Sequence, residues 1–325
     1  MNAAAPKYSS AKKHVPGCNF TSGARLVFVL LLVGWAVNGF AAEPAVAAAQ
    51  RPKVIVSVPP LYAAIAEIAG ADFEVSPGLP PGRSEHGYEP SPRDVKFLKS
   101  ADLLVVVDQS IDGWMTKLAG KVPRIEVLPA VQPHTYQETS GPALGFAARS
   151  MGAKLDPHFW TDPVRMGMAV VAVASRLNAT KPGTGVVQRA AAFDSRMKKL
   201  AAAAVDRAKA WPKVSVILSH ASLGYLAKWS GLKVVGLLEP IPHVEPGPKH
   251  LRDLVNAAKS NTPCRILAEE QLDRKTANVL SKEAGVVAVR INPLGTTAGK
   301  GGKSVEGAYD SYFNGLLDEI AGALK

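Results

Sequence analysis

The chain has 325 residues, of which 47% are hydrophobic and 20% charged, and its formal net charge is +11. This length and balance predict a globular protein of two domains, or one large one, with ample material for a hydrophobic core. The positive charge is spread out, with no block of Lys and Arg interleaved with aromatic residues, so a nucleic-acid-binding surface is not expected.

The N-terminal segment has the pattern of an export signal. Residues 1–42 contain four basic and no acidic residues, and their apolar run, LVFVLLLVGWAVNGFAA (26–42), ends in small residues. A basic stretch, an apolar run and small residues are typical of a secretory signal. We therefore expect residues 1–42 to be a signal peptide for export to the periplasm and residues 43–51 to form a short mature N-terminal segment. Because the apolar run is short for a bilayer span of about 20 residues, an uncleaved membrane anchor is the alternative.

The same order of elements occurs twice along the chain, in residues 52–131 and again in residues 212–295. Each copy begins with a β-branched apolar run, continues with a helical pattern ended by Gly70 or Gly231, and then alternates strands with helices. Strands that are apolar throughout and alternate with helices are typical of a mostly parallel sheet covered on both faces. The sequence therefore predicts an α/β protein of two similar lobes.

A long helix is expected to join the two lobes. Residues 188–211 are rich in Ala, the strongest helix former, and contain no Gly or Pro. We assign the N-terminal lobe to residues 52–184, the rigid connecting helix to 185–211 and the C-terminal lobe to 212–325. A stiff connection predicts small movements of the lobes. A cleft between two α/β lobes favours a ligand-binding protein.

Histidines lie at the places where such a cleft would form. His86 lies in the stiff loop SEHGYEPSPRD, His158 lies between two Asp-Pro turns in DPHFWTDP, and His220 ends the strand VSVILSH. Imidazoles from two lobes can converge on a divalent transition metal, and the alternative is that each is an ordinary polar residue. The other histidines after the signal are in polar, Pro-rich or helical contexts and are predicted to be surface residues: His134, His243 and His250.

These segments resemble the metal-binding class of solute-binding proteins that serve ABC importers for zinc or manganese. LPPGRSEHGYEPSPRD, DPHFWTDP and SHASLGYLAKWSGLKVVGL are similar to the three ligand segments of that family, and EPGPKHLRDLV and INPLG are similar to later segments. The resemblance covers nearly all of residues 51–325. It implies that His86, His158 and His220 are metal ligands, and that His at the third position favours Zn²⁺ over Mn²⁺.

Two features depart from the family pattern. Asn292 stands where the family usually has Asp as a fourth ligand, which would leave the charge of a buried divalent cation uncompensated. We hypothesise that Glu85 supplies the carboxylate; a bound water or hydroxide, or weak ligation by the Asn292 carbonyl oxygen, are the alternatives. The region that carries a His-rich loop in many zinc-importing relatives, 132–152, contains only His134.

Two further sequence features, the cysteine Cys264 and a sequence that resembles a nucleotide-binding motif, do not indicate additional functions. Without Cys18 of the signal, Cys264 is the only cysteine, so no internal disulfide is expected, and its strand CRILAE predicts a buried core residue. GKGGKS (299–304) resembles a phosphate-binding loop, but Thr297 stands where that motif requires Gly.

The function expected from these features is delivery of Zn²⁺ by a monomeric periplasmic protein to the permease of an inner-membrane ABC importer. A protein of the same class for manganese or another divalent metal, and a metal-binding adhesin, are the alternatives. An exported zinc hydrolase is the least favoured, and no enzyme activity is expected, because the chain has neither H-E-x-x-H nor G-x-S-x-G.

Overall fold

The computed structural model describes residues 50–147, 151–295 and 307–325. The expected signal (1–42), nearly all of the segment 43–51 and the GKGGKS sequence (299–304) lie outside the described residues. Within the described ranges, no helix combines the length and the apolar character needed to cross a membrane.

The first sheet has four parallel strands. Its strand order is β2-β1-β3-β4. The strands are β1 (Lys53–Val56), β2 (Glu74–Pro77), β3 (Leu103–Val106) and β4 (Arg124–Glu126). The inner strands β1 and β3 are buried apart from Lys53, which explains why they read as continuous apolar runs.

The second sheet repeats this arrangement with parallel strands in the order β6-β5-β7-β8. The strands are β5 (Ser215–Leu218), β6 (Val234–Leu237), β7 (Cys264–Glu269) and β8 (Val287–Ile291). The identical strand order confirms the prediction of two similar α/β lobes. Cys264 is buried at the start of β7, as its sequence context predicted.

Helices cover both sheets. In the first half they are α1 (Pro59–Ala69), α2 (Pro92–Lys99), α3 (Gln109–Ala119), α4 (Tyr136–Ser140), α5 (Pro163–Thr180) and α6 (Val186–Lys209). In the second half they are α7 (Gly224–Ser230), α8 (Pro248–Ser260), α9 (Arg274–Ala284) and α10 (Ala308–Ala323). Short 3-10 helices occupy Gly70–Asp72, Leu128–Val131, Gly141–Ala147, Phe159–Thr161 and Ala221–Leu223.

The connecting helix α6 is 24 residues long and begins after Gly185, whose φ of +70° lies in the left-handed region. It packs along α5 and also contacts α1 and α7. Arg196 on α6 forms ion pairs with Glu67 (Nη2 to Oε1, 2.7 Å) and with Asp310 (Nε to Oδ1, 3.1 Å). Since Glu67 lies on α1 and Asp310 on α10, this arginine ties the connecting helix to both halves of the chain.

The two halves share one hydrophobic core. A single cluster includes Val54 of the first sheet, Phe193 of the connecting helix, Leu218 of the second sheet and Phe313 of the last helix. The segment Gly141–Ala147, before the predicted lobe boundary at residue 184, already packs against β6 of the second sheet. This continuous apolar contact favours small local movements over a wide opening of one half against the other.

Asp112 on α3 is a buried carboxyl group at the carboxyl end of β3. Only 2% of it is exposed, and its Oδ2 accepts a hydrogen bond of 2.5 Å from the backbone N–H of Val107. Burial outweighs this hydrogen bond and raises the pKa of Asp112 to about 7. Protonation of Asp112 therefore stabilises the fold below the unfolded pKa, and this contribution is lost as the pH rises through 7.

We expect Asp112→Asn to change how stability depends on pH. From pH 5 to pH 8, the free energy of unfolding of the wild type should fall by about 2–3 kcal/mol more than that of Asp112→Asn, since the amide cannot ionise. Urea unfolding at the two pH values measures the difference, and exposed Asp206→Asn is the matched control. Equal pH slopes in Asp112→Asn and the wild type would contradict a protonated native Asp112.

Candidate metal centre

The three histidines predicted from their turns and strand ends come together at one point. His86 lies in the loop after β2, His158 immediately before the 3-10 turn Phe159–Thr161, and His220 just after β5. The Nε2 atom of His158 lies 3.0 Å from Nε2 of His86 and 3.3 Å from Nε2 of His220. Three loops that are far apart in sequence thus direct the same ring nitrogen at a common centre.

Glu85 completes this cluster with a carboxylate oxygen. Its Oε1 lies 3.8 Å from Nε2 of His86, 3.9 Å from Nε2 of His158 and 3.8 Å from Nε2 of His220. The four donor atoms all lie within 4.8 Å of one another. Adjacent donors around a tetrahedral Zn²⁺ with bonds of about 2.0–2.1 Å are about 3.3–3.4 Å apart. The arrangement therefore needs only a small inward movement of Glu85 to surround one cation.

Two buried carboxylates orient the imidazoles from behind. Oδ1 of Asp156 lies 2.7 Å from Nδ1 of His158 and accepts the backbone N–H of the same residue at 3.0 Å. Oε1 of Glu269, at the end of β7, lies 2.7 Å from Nδ1 of His220. A carboxylate at Nδ1 favours a proton there and leaves the Nε2 lone pair for a metal ion.

The segment that contains His158 is held by hydrogen bonds from the second half of the chain. The Tyr225 hydroxyl donates to the carbonyl of Asp156 at 2.8 Å, and the Trp229 indole donates to the carbonyl of Thr161 at 3.2 Å. The Tyr309 hydroxyl donates to the carbonyl of Trp160 at 2.8 Å. Because these donors belong to helices of the other half, the position of His158 depends on the packing of both halves.

Burial makes the charge of this cluster important. His158, His220 and Glu85 are almost inaccessible, and His86 is partly buried. A divalent cation bound by neutral imidazoles would bring two positive charges into this environment. The carboxylates of Glu85, Asp156 and Glu269 would compensate that charge, so a neutral amide at position 292 is compatible with cation binding.

His86 and His220, the two histidines on either side of His158, differ in pKa. Burial, together with the nearby His220 and His158, lowers the pKa of His86 well below its usual value. Burial would also lower the pKa of His220, but the Glu269 carboxylate beside it outweighs burial and raises this pKa to about 9. Without a metal ion, His220 therefore carries a proton at neutral pH, and a cation must displace it.

Asn292, the fifth predicted site residue, is engaged elsewhere. Its Oδ1 accepts a hydrogen bond of 2.7 Å from Nε2 of Gln271, and its backbone N–H donates to Oε2 of Glu319 at 2.9 Å. It lines a separate surface cavity with Glu270 and Tyr312. In the described part of the chain, none of its hydrogen bonds joins it to the three histidines, and its role as a ligand stays a prediction.

Sequence reasoning missed the two carboxylates behind the imidazoles. Asp156 lies two residues before His158 in the same Asp-Pro turn, which was a usable signal. Glu269 ends β7, the parallel neighbour of the strand that His220 follows, and this proximity required the strand order.

Outside the cluster, the remaining histidines have mixed surroundings. His243 is exposed, whereas His134 and His250 are partly buried. His134 lies 2.7 Å from Nη2 of Arg165, and His250 lies 2.8 Å from the carbonyl of Leu237. The prediction that all three are surface residues therefore agrees with the exposure of His243, whereas His134 and His250 are only partly exposed.

The protein has two lobes, each built on a parallel sheet, and both halves contribute to one buried cluster of imidazoles and a carboxylate. This is the architecture of a metal-binding solute-binding protein. Residues 54–323 match the sequence profile of one such family, described as the periplasmic component A of the zinc-uptake complex. The chain therefore belongs to this zinc-uptake component A (ZnuA) family, which confirms the resemblance drawn from its motifs.

Curated relatives have names that refer to zinc. The chain is 28% identical over 254 residues to the zinc-binding lipoprotein AdcA of Streptococcus pneumoniae (strain R6), covering 74% of this chain and 50% of that protein. It is 24% identical over 292 residues to the high-affinity zinc uptake system protein ZnuA of Haemophilus ducreyi, covering 83% and 93%. The chain thus spans about half the length of the streptococcal AdcA relatives.

Solved structures share the fold. The laminin-binding protein Lmb of Streptococcus agalactiae superposes with a TM-score of 0.68 at 25% identity, covering 84% of this chain and all of that one. The periplasmic zinc-binding protein TroA of Treponema pallidum gives a TM-score of 0.70 at 21% identity, covering 85% and 99%.

The raised pKa of His220 predicts the pH dependence of zinc affinity. An ordinary imidazole would begin to lose metal near pH 6.5. Here, because the Glu269 carboxylate raises the pKa of His220 to about 9, the apparent dissociation constant should rise about eightfold as the pH falls from 8.5 to 7.5.

Competitive zinc titration across this pH range measures the slope. Glu269→Gln removes the group that raises the pKa of His220 and should flatten the slope, whatever its effect on absolute affinity. A wild-type affinity that is constant between pH 7.5 and 8.5 would contradict a protonated His220.

The contact between Asp156 and His158 predicts that a substitution at Asp156 weakens zinc binding although no proposed ligand is removed. Asp156→Asn should weaken zinc binding about 10–100-fold, because an amide neither holds the Nδ1 proton as strongly nor adds negative charge. Asp206→Asn removes an exposed carboxyl group and serves as the control. If the Asp156→Asn and wild-type proteins bind zinc equally in a competition titration, the orienting role is wrong.

Proposed function

We propose that this protein binds one Zn²⁺ ion in the periplasm and delivers it to the permease of an inner-membrane ABC importer. The observation that carries this proposal is the convergence of three Nε2 atoms and Oε1 of Glu85 on one buried point. The family described for zinc uptake and the relatives named for zinc binding support it.

The donor set favours zinc over manganese. Zn²⁺ prefers tetrahedral sites built from imidazole, thiolate and carboxylate donors, whereas Mn²⁺ is suited to oxygen-rich, higher-coordinate sites. Three imidazole nitrogens and one carboxylate oxygen, with His220 as the third imidazole, match the first description. We infer that His86, His158, His220 and Glu85 bind the ion, and that Asn292 contributes at most through rearrangement.

Delivery requires that the ion can leave a buried site. His158 and His220 are inaccessible in this structure, so at least one ligand loop must move before a permease can receive the cation. The shared hydrophobic core and the Arg196 ion pairs oppose a wide opening of the halves. We infer that release proceeds by local movement of the loop that carries Glu85 and His86.

Adhesion is a second candidate function. It is supported by the similarity to Lmb, which is described as a bifunctional protein with adhesin and metal-transporting activity. Because one fold can carry several functions, binding of the zinc-loaded protein to immobilised laminin would test this function separately from metal delivery.

Zinc titration of site variants tests the proposed ligand set. The purified exported chain should bind one equivalent of zinc, and Glu85→Gln should weaken binding by about 100-fold or more, a larger loss than that expected for residues that only hydrogen-bond to a ligand. Asn292→Ala should have a much smaller effect. Exposed Glu89→Gln, in the same loop, is the matched control. If the wild type binds less than one equivalent of zinc tightly, the proposed function is wrong. If Glu85→Gln binds zinc with unchanged affinity, only the assignment of Glu85 as a ligand is wrong.

A further inference from the structure

An exposed histidine from the second half reaches the loop that carries two of the proposed ligands. We call residues 78–90 the first ligand loop and residues 239–247 the rim loop. The rim loop follows β6, and Nε2 of His243 on it lies 2.9 Å from Oγ of Ser84 on the first ligand loop. Oγ of Ser84 also lies 3.3 Å from the backbone N–H of His86, which donates to it. One hydroxyl thus links the rim loop to the backbone of a ligand residue.

The His243 ring also packs against Gly87, on the other side of His86. A Cβ atom added at Gly87 would lie 2.5 Å from Nε2 of His243 and 2.8 Å from two ring carbons. Gly87 does not have a positive φ, so the need for glycine here is the close approach of the ring rather than the backbone conformation. His243 therefore contacts residues on both sides of the Glu85–His86 pair.

The backbone of His243 is held in a conformation that side chains rarely adopt. Its φ is +61°, and among the described residues only Gln132 shares a positive φ without being glycine. The backbone N–H of His243 donates to Oε2 of Glu239 at 3.1 Å, and Glu239, at the start of the rim loop, is 94% buried. Such conformations persist where surrounding contacts hold them, and they are concentrated at functional sites.

We propose that His243 is a positioning residue that holds the first ligand loop across the cleft and thereby slows release of the bound ion. This proposal rests on the proposed function, since it assumes that Glu85 and His86 bind the metal. Other tethers of the loop, such as the hydrogen bond of Tyr88 to Asp94 and the ring contact of Tyr88 with Trp114, lie within the first half. They restrain the loop but do not tie it to the half that supplies His220.

The physical reason for an effect on release is that two of four donors move with this loop. When the His243 contact is intact, movement of Glu85 and His86 away from His158 and His220 must first break it. The contact adds to the barrier for departure. We expect it to be weaker before an ion binds, when no metal holds Glu85 and His86 in place, so association depends on it less. We therefore expect the dissociation rate of zinc to respond more than the association rate.

The test measures zinc release from the loaded exported chain into an excess of EDTA by stopped flow. His243→Ala should accelerate release about tenfold, the factor that corresponds to one hydrogen bond, with less than about a twofold change in association. His243→Gln, whose amide nitrogen can reach the Ser84 hydroxyl, should stay within about threefold of the wild type.

Gly87→Ala disturbs the contact between His243 and the first ligand loop from the side of that loop. It removes no polar group but displaces the ring, so it should accelerate release as His243→Ala does, and the double variant should be no faster than either single one. Val244→Ala, an exposed neighbour on the rim loop, is the control and should release zinc at the wild-type rate.

The outcomes separate this proposal from the proposed function. Wild-type release rates in both His243→Ala and Gly87→Ala, with one zinc still bound, would overturn the positioning role and leave zinc binding intact. Loss of zinc stoichiometry in a folded His243→Ala would also overturn it, because His243 would then be a ligand. A wild type that binds no zinc would refute the proposed function itself. If His243→Ala does not fold, Gly87→Ala and His243→Gln still decide the question.

Discussion

The contact between the Asp156 carboxylate and the His158 imidazole is the interaction on which the geometry of the site depends. His158 is the middle member of the cluster, since its Nε2 is within 3.3 Å of the equivalent atom of both other histidines. Asp156 is itself fixed by the Thr139 hydroxyl at 2.6 Å and, through its carbonyl, by Tyr225. The packing of the two lobes thus determines the direction in which the Nε2 lone pair of His158 points.

Charge balance explains how a buried cluster of this kind can be stable with and without its ion. Glu85, Asp156 and Glu269 would repel one another in a site that held no cation. In the metal-free protein the proton on His220, whose pKa the neighbouring Glu269 raises to about 9 against the effect of burial, supplies a positive charge in their midst. Binding of Zn²⁺ at the proposed site would exchange this proton for a divalent ion, so the carboxylates would have a positive partner in both states.

The two parallel sheets and the convergence of the histidines could be predicted because they follow local rules. Apolar runs and an internal repeat define the parallel sheets, and His86, His158 and His220 lie at strand ends or in Pro-fixed turns. What could not be predicted depends on contacts between segments far apart in sequence. Asn292 is paired with Gln271, and His243 meets Ser84 across 159 positions, so neither environment can be inferred from neighbouring residues.

The common strand order has a consequence for how the chain arose. β2 and β6 occupy the same place in their sheets, and the loops that follow them contain His86 and His243. If the halves descend from one duplicated gene, the ancestral half-length chain would have paired with a copy of itself, each contributing the same loop to a shared seam. After such a fusion, the loop with His86 would have kept the metal ligands, and the equivalent loop with His243 would have become its restraint. The difference between the two loops would then reflect specialisation of two originally identical copies.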